Sequence, residues 1–288
     1  MQNGQKKSFG TRGLPEGYGK SANPYTLTHR PIGGQANYSS QCGIDENLRA
    51  FMLQVYNLMA IGLAITGLAA FAAYWATVTS DPALAAKWDD GTAIAVTQSE
   101  YFTVLGADIW MSPRSYLICF GPLLIILFTT PFWRRLPSSL SLGAFFLIAT
   151  LVGVSFSGLA LTYTNGSIAQ MFFATAAAFG GLSLFGYTTR KDLSGWGSFL
   201  WMGLFGVIAA VIFNIFYPSD ALNFAIGVIG VIVFSGFTAY DTQMIKQAYS
   251  DQLNPEDRMR LAVSGALDLY LDFINLFRFL LALFGERE

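Results

Sequence analysis

Histidine is nearly missing from this sequence. The single one, His29, lies among glycines and prolines, so a histidine-based metal site or general-base apparatus has almost nothing to stand on. Cysteine is as sparse: Cys42 sits in a polar tail and Cys119 in an apolar run, they cannot build a disulfide framework, and both read as free thiols. Charge is scarce too, at 12% of residues with a net of -1, and nucleic acid is not an expected partner. What is present is apolar. Hydrophobic residues make up 53% of the chain, 25 of them phenylalanine, and the mean hydropathy is +0.45. An ordinary soluble domain does not reach these values, and the composition is that of a membrane protein.

The apolar residues are gathered into runs. Residues 1–46 hold none: this stretch is rich in Gly, Ser, Asn and Pro, carries Lys6, Lys7, Arg12, Lys20 and Arg30, lacks a signal-peptide apolar region, and reads as a disordered tail. From 47 to 288 the sequence predicts an all-α membrane domain of about seven spans, each of the length a core of about 30 Å requires. The spans are Phe51–Ala76, Ser115–Trp133, Leu140–Leu159, Ile168–Tyr187, Trp196–Phe216, Leu222–Ala248 and Leu261–Phe284. Gly121 and Pro122 predict a kink in the second. In the fourth, Ala174, Ala176, Ala177, Ala178, Gly180 and Gly181 form a set of small residues that predicts close helix packing. The one substantial loop, Thr77–Arg114, is acidic and carries Trp88 and Trp110.

Basic residues alternate between loops. The tail, the link at Arg134 and Arg135, the link at Arg190 and Lys191, and the link at Arg258 and Arg260 carry them, whereas the loop after Trp75, where acids outnumber Lys87 and Arg114, the link at Gly166 and the turn at Asp220 are acidic or uncharged. Cytoplasmic loops hold the Lys and Arg excess, so the amino terminus is expected in the cytoplasm and Glu286 on the far side.

Against this apolar background three acids stand out: Asp241 in the sixth span, and Asp268 and Asp272 in the seventh. An ionised side chain at bilayer depth costs at least about 2.5 kcal/mol, so such residues face a bundle interior and mark a functional path. At about 100° per residue, Asp268, Asp272 and Asn275 share one sector of the last helix, with Arg278 at its edge. This polar stripe predicts that the last helix stands at the centre of the bundle. The sixth and seventh spans run in opposite directions, which brings Asp241 to the depth of Asp268 and Asp272. Two carboxyls a few ångströms apart in low dielectric cannot both ionise cheaply, so they share a proton and titrate as a unit. Doubly ionised, their oxygens are hard ligands suited to Ca²⁺. Asp268, nearer the interface, also suits the helix dipole, and Asn275 suits a bond across helices.

Three stretches carry a family resemblance: AYDTQMIKQAY at Ala239–Tyr249, ALDLYLDFINLF at Ala266–Phe277, and FGYTTRKDLSGWGSFLWMGLFG at Phe185–Gly206. With them the chain, from about Asn47 onward, resembles the bacterial branch of the Bax inhibitor-1 (transmembrane BAX inhibitor motif) family. The resemblance implies a pH-sensitive calcium leak, with Asp241 and Asp272 as its gating dyad and Arg134 or Arg135 as a basic latch on Asp241. It also implies a bacterial inner-membrane location. A second reading is a non-transporting regulator that binds other membrane proteins, such as a membrane-anchored quality-control protease. A third, intramembrane aspartyl proteolysis, requires a Gly-x-Gly-Asp sequence, whereas the acids here stand in GALD and LYLD. The expectation is therefore a non-enzyme without a resident cofactor, with the lipid bilayer and Ca²⁺ or protons as its partners.

Overall fold

The computed structural model describes residues 46–287 apart from 98, 114, 116–117 and 119–135, all within one compact unit, Cys42–Glu288. The tail, the expected second span, Cys42, Cys119, His29, Arg134 and Arg135 lie outside the described residues. The described part contains seven α-helices: α1 (Glu46–Thr77), α2 (Val104–Trp110), α3 (Ser138–Phe156), α4 (Asn165–Thr188), α5 (Gly197–Phe216), α6 (Asp220–Ala248) and α7 (Pro255–Phe284). A 3-10 turn, Ser157–Leu161, extends α3, and another, Ser194–Trp196, leads into α5. Among the described residues, five helices are long and apolar enough to cross a membrane: α1, α4, α6, and α3 and α5 with their 3-10 turns. The chain is an all-α membrane protein. Its helix α2 is short and belongs to the loop between the first spans.

Helix starts follow local chemistry. Asn254 caps α7 by accepting from Asp257 N at 2.8 Å, Pro255 stands at the first helical position, and Glu256 and Asp257 lie in the positive first turn. This cap begins α7 six residues before the expected Leu261, because capping rather than hydropathy sets its start. Thr164 caps α4 through Ser167 N at 3.2 Å, and Ser219 caps α6 through Leu222 N at 3.5 Å. The loop after α1 is ordered: β1 (Val78–Thr79) pairs antiparallel with β2 (Tyr101–Phe102), and Thr103 caps α2.

Helix α7 packs against α1, α3, α4 and α6. It is the central helix, as its polar stripe predicts, and its buried face includes Leu269, Tyr270, Asp272, Phe273 and Leu276. Asp268, Asp272 and Arg278 place charge-bearing groups along its apolar stretch, yet it runs unbroken over 30 residues. At about 1.5 Å per residue that is a length of about 45 Å, enough to cross. By contrast α5 buries only Gly197, Leu200 and Val207 and exposes Phe199, Trp201, Phe205, Phe213 and Phe216, the pattern of an outer helix whose solvent is lipid.

The small residues of α4 meet no described helix. Ala174, Ala176, Ala177, Ala178, Gly180 and Gly181 are exposed, and a Cβ on either glycine would meet nothing within 4 Å among the described residues. The buried stripe of α4 is Ser167, Met171, Thr175, Phe179, Ser183 and Gly186, spaced by fours and a three. Gly186 makes the close approach, with its Cα against the carbonyl oxygen of Ala239 in α6. Gly153 of α3 does the same against Thr66 of α1.

Both ends of α7 are tied down. At its start, Glu256 accepts from Ser138 N at 2.7 Å and Ser138 Oγ at 2.8 Å, so its carboxylate caps α3. At its end, Thr164 N donates to Glu286 O at 3.0 Å and Glu286 N donates to Ser167 Oγ at 2.9 Å, while Arg287 bridges to Tyr163. The chain end therefore lies beside the link at Gly166.

Candidate functional site

Asp241 lies on α6 two turns before its C-terminal end, and Asp272 lies in the middle of α7. The residues around each explain why the helices meet here. Gly236 of α6 admits the Leu200 side chain and Gly230 admits the Phe279 ring, so α5 and α7 both pack close to α6. Phe234 stacks on Phe279 at 5.8 Å between ring centroids.

The two carboxyls come within hydrogen-bonding reach of each other. Asp272 is 4% exposed, and no described donor reaches its buried Oδ2. Ionised carboxylates only accept, so a hydrogen bond between these groups requires a proton on one of them. Asp268 lies close enough to act electrostatically on both, but its side chain is exposed. The structure thus brings Asp241, Asp268 and Asp272 to one place. Asn275 is a different matter: its Nδ2 donates to Leu271 O at 2.8 Å, within its own helix, and makes no bond across helices in that way. The latch candidates Arg134 and Arg135 lie outside the described residues.

Around the acids stands a set of polar contacts that reading the sequence missed, except at Gln243, where bonding between helices is the expectation for a residue flanking Asp241. Tyr56 of α1, Ser183 of α4 and Thr242 of α6 join in a row, at 2.7 Å for Tyr56 to Ser183 and 2.9 Å for Ser183 to Thr242. Tyr270 meets Thr66 at 2.8 Å, and Thr66 donates to Ala149 O of α3 at 2.9 Å. Gln243 accepts from Leu193 N at 2.7 Å and donates to Lys191 O at 2.8 Å, which fastens the α4–α5 link to α6. Lys246 donates to Tyr187 O at 2.7 Å and lies 5.0 Å from the Tyr187 ring centroid. A signal existed in the periodicity: Thr66 and Ser183 fall on the buried stripes of their helices, where a polar side chain needs a partner.

Chemically, the arrangement can hold or release one proton between α6 and α7, and it can offer carboxylate oxygens to a cation when ionised. Comparison with known proteins agrees with the helix pattern. The family described as Inhibitor of apoptosis-promoting Bax1 matches residues 48–288. An uncharacterized protein of Caulobacter vibrioides is 43% identical over 245 residues, covering 84% of this chain and 90% of the relative. One from Rickettsia prowazekii is 39% identical over 244 residues, covering 85% and 92%. The inner membrane protein YbhL of Escherichia coli is 37% identical over 246 residues, covering 84% and 93%. With that span matched and those relatives covered almost end to end, the chain belongs to the Bax inhibitor family.

Proposed function

We propose that the protein is a passive Ca²⁺ pathway of a bacterial inner membrane, gated by the proton shared between Asp241 and Asp272. The observation that carries this reading is the contact of the two carboxyls inside the bundle, with Asp272 Oδ2 buried and reached by no described donor. With a proton present, the pair draws α6 and α7 together by a hydrogen bond. Without it, two anions face each other in a place of low dielectric and repel. The force between the helices changes sign with one proton, and a path between α6 and α7 responds to pH. Ionised Asp241 and Asp272, with Asp268 beside them, present oxygen ligands to a passing Ca²⁺, and the ion completes its shell from carbonyls or water. The name of the Escherichia coli relative supports the inner membrane as the location, and the alternation of basic loops supports a cytoplasmic amino terminus.

Ca²⁺ flux into liposomes holding only the purified protein tests this, measured from about pH 5 to about pH 8. Wild type should leak with a pH-dependent rate, and Asp241→Asn and Asp272→Asn should each shift or abolish that dependence, with a smaller effect from Asp268→Asn. An unaltered profile in both dyad variants ends the gating hypothesis. Absence of flux from pure protein favours a regulator that acts on other membrane proteins.

A further inference from the structure

We propose that Tyr56 and Tyr270 are positioning residues for the carboxyl pair, each holding one of its helices in register through a one-way chain of hydroxyl hydrogen bonds. The proposal rests on the reading of Asp241 and Asp272 as a coupled pair. In the first chain, Thr242 Oγ1 donates to Thr238 O at 2.7 Å, which uses its only proton. Ser183 must then donate to Thr242 at 2.9 Å, and Tyr56 must donate to Ser183 at 2.7 Å. Ser183 is 3% exposed and Thr242 is fully buried, so water does not compete for the bond between them, and Tyr56 reaches it from a half-buried position on α1. The chain ends on the residue that follows Asp241 and on the carbonyl one turn before it.

In the second chain, Thr66 Oγ1 spends its proton on Ala149 O at 2.9 Å, shared with Gly62 O at 3.0 Å. Tyr270 must then donate to Thr66 at 2.8 Å. Tyr270 is fully buried, edge-on to Phe145 at 5.6 Å, and stands on α7 between Asp268 and Asp272. Both chains meet α1, one at Tyr56 and the other at Thr66. Helix α1 is thus a common frame: it sets α6 through α4 and sets α7 directly, and the distance between the two carboxyls follows from both.

Among the described residues, the ionisable groups around the pair are few. Asp241 and Asp272 face each other and Asp268. Helices α3 and α5 contain no ionisable side chain, α4 brings Tyr187, and α6 adds Asp220, Tyr240 and Lys246, the last held at the Tyr187 carbonyl. Helix α1 contributes Glu46 and Arg49 in its first turn and Tyr56 and Tyr74, and α7 adds Arg278 and its charged first turns, Glu256, Asp257, Arg258 and Arg260. Neither tyrosine needs to titrate for the effect proposed; each acts through geometry.

The experiment follows the carboxyl C=O stretch by pH-dependent infrared absorption on the full chain in liposomes, with the band assigned by its loss in Asp241→Asn and Asp272→Asn. Ca²⁺ flux is recorded on the same samples. Tyr56→Phe and Tyr270→Phe each remove one oxygen and keep the ring. Both should retain the band and move its titration midpoint by roughly half a pH unit or more, with the flux midpoint following. In an Asp272→Asn background Tyr56→Phe should add nothing to the pH profile, whereas a merely structural role would lower thermal stability alike in both backgrounds. Ser183→Ala and Thr66→Val interrupt the same chains and serve where a tyrosine variant does not fold. An unmoved midpoint in the variants of both chains overturns the proposal. A band that moves in protein without flux sinks the transport reading and leaves the positioning role standing, and a wild type without the band removes the pair and the proposal together.

Discussion

A single methyl group at Gly186 tests the packing that brings α4 against α6. A Cβ there runs into the Ala239 carbonyl oxygen and stands 3.0 Å from both Ala239 Cα and its carbonyl carbon. Carbon atoms settle at about 3.5–4.0 Å. Every atom it meets is backbone, so nothing gives by rotating a side chain, and the helices must part by roughly half an ångström to one ångström. Overpacking of this kind costs about 1–3 kcal/mol, partly offset by the up to about 1 kcal/mol by which alanine exceeds glycine in helix propensity. Gly180→Ala, on the same helix with nothing within 4 Å among the described residues, receives the propensity without the collision. Thermal unfolding in detergent should place Gly186→Ala below wild type, at about 2–4 °C per kcal/mol, and Gly180→Ala at or above it. Ala239 precedes Asp241 by two residues, so the same displacement should alter the pH dependence of Ca²⁺ flux in Gly186→Ala alone. Equal stability of the two variants would refute the reasoning.

Reporters fused at Ser194 or Asp251 should be cytoplasmic and those at Asp89 or Asn165 external; any reversal overturns the orientation drawn from the basic loops. The backbone N–H and then the hydroxyl of Ser138 hold the Glu256 carboxyl below the usual glutamate range. A lowered folded-state value means stability present above the unfolded value of about 4.3 and lost as pH falls through the folded one. Hydrogen-exchange protection of the first turn of α3 should therefore fall on acidification in wild type and be low throughout in Glu256→Gln; protection that ignores both changes makes the clasp idle. Neutralising Arg134 and Arg135, singly and together, should raise basal Ca²⁺ leak if one of them latches Asp241, and an unchanged leak in all three variants leaves them as topology signals.

Five of the expected spans were legible because hydropathy and bilayer thickness constrain them jointly, and the central place of α7 was legible because Asp268 and Asp272 could not face lipid. Where sequence reading failed, the deciding contact was non-local. Nothing within α4 distinguishes Gly186, which meets Ala239, from Gly180 and Gly181, which meet nothing described. Asn275 offered an amide that could bond across helices, yet its Nδ2 donates to Leu271 O in its own preceding turn. The early start of α7 was written in Asn254, Pro255, Glu256 and Asp257, but hydropathy alone passes over such a cap. Tyr56, Ser183 and Thr242 are unremarkable singly, and become a chain only when three helices converge.

The hydrogen bonds that cross between helices sort the bundle into two rafts. Thr66, Ala149 and Tyr270, with Ser138 and Glu256, bind α1, α3 and α7 into one. Ser183 with Thr242, Lys246 with Tyr187, and Asn214 with Asn223 at 2.7 Å bind α4, α5 and α6 into the other. Asp272 rides on the first raft and Asp241 on the second, and the seam between them is crossed by Tyr56 to Ser183 and by the pinned chain end at Ser167. The carboxyl pair therefore sits on the seam between the two rafts, where α6 and α7 also pack through Gly230, Phe234 and Phe279. A thinner or thicker bilayer tilts helices to match its own hydrocarbon depth, and a tilt that moves one raft against the other is expected to reach Asp241 and Asp272 as a change of spacing.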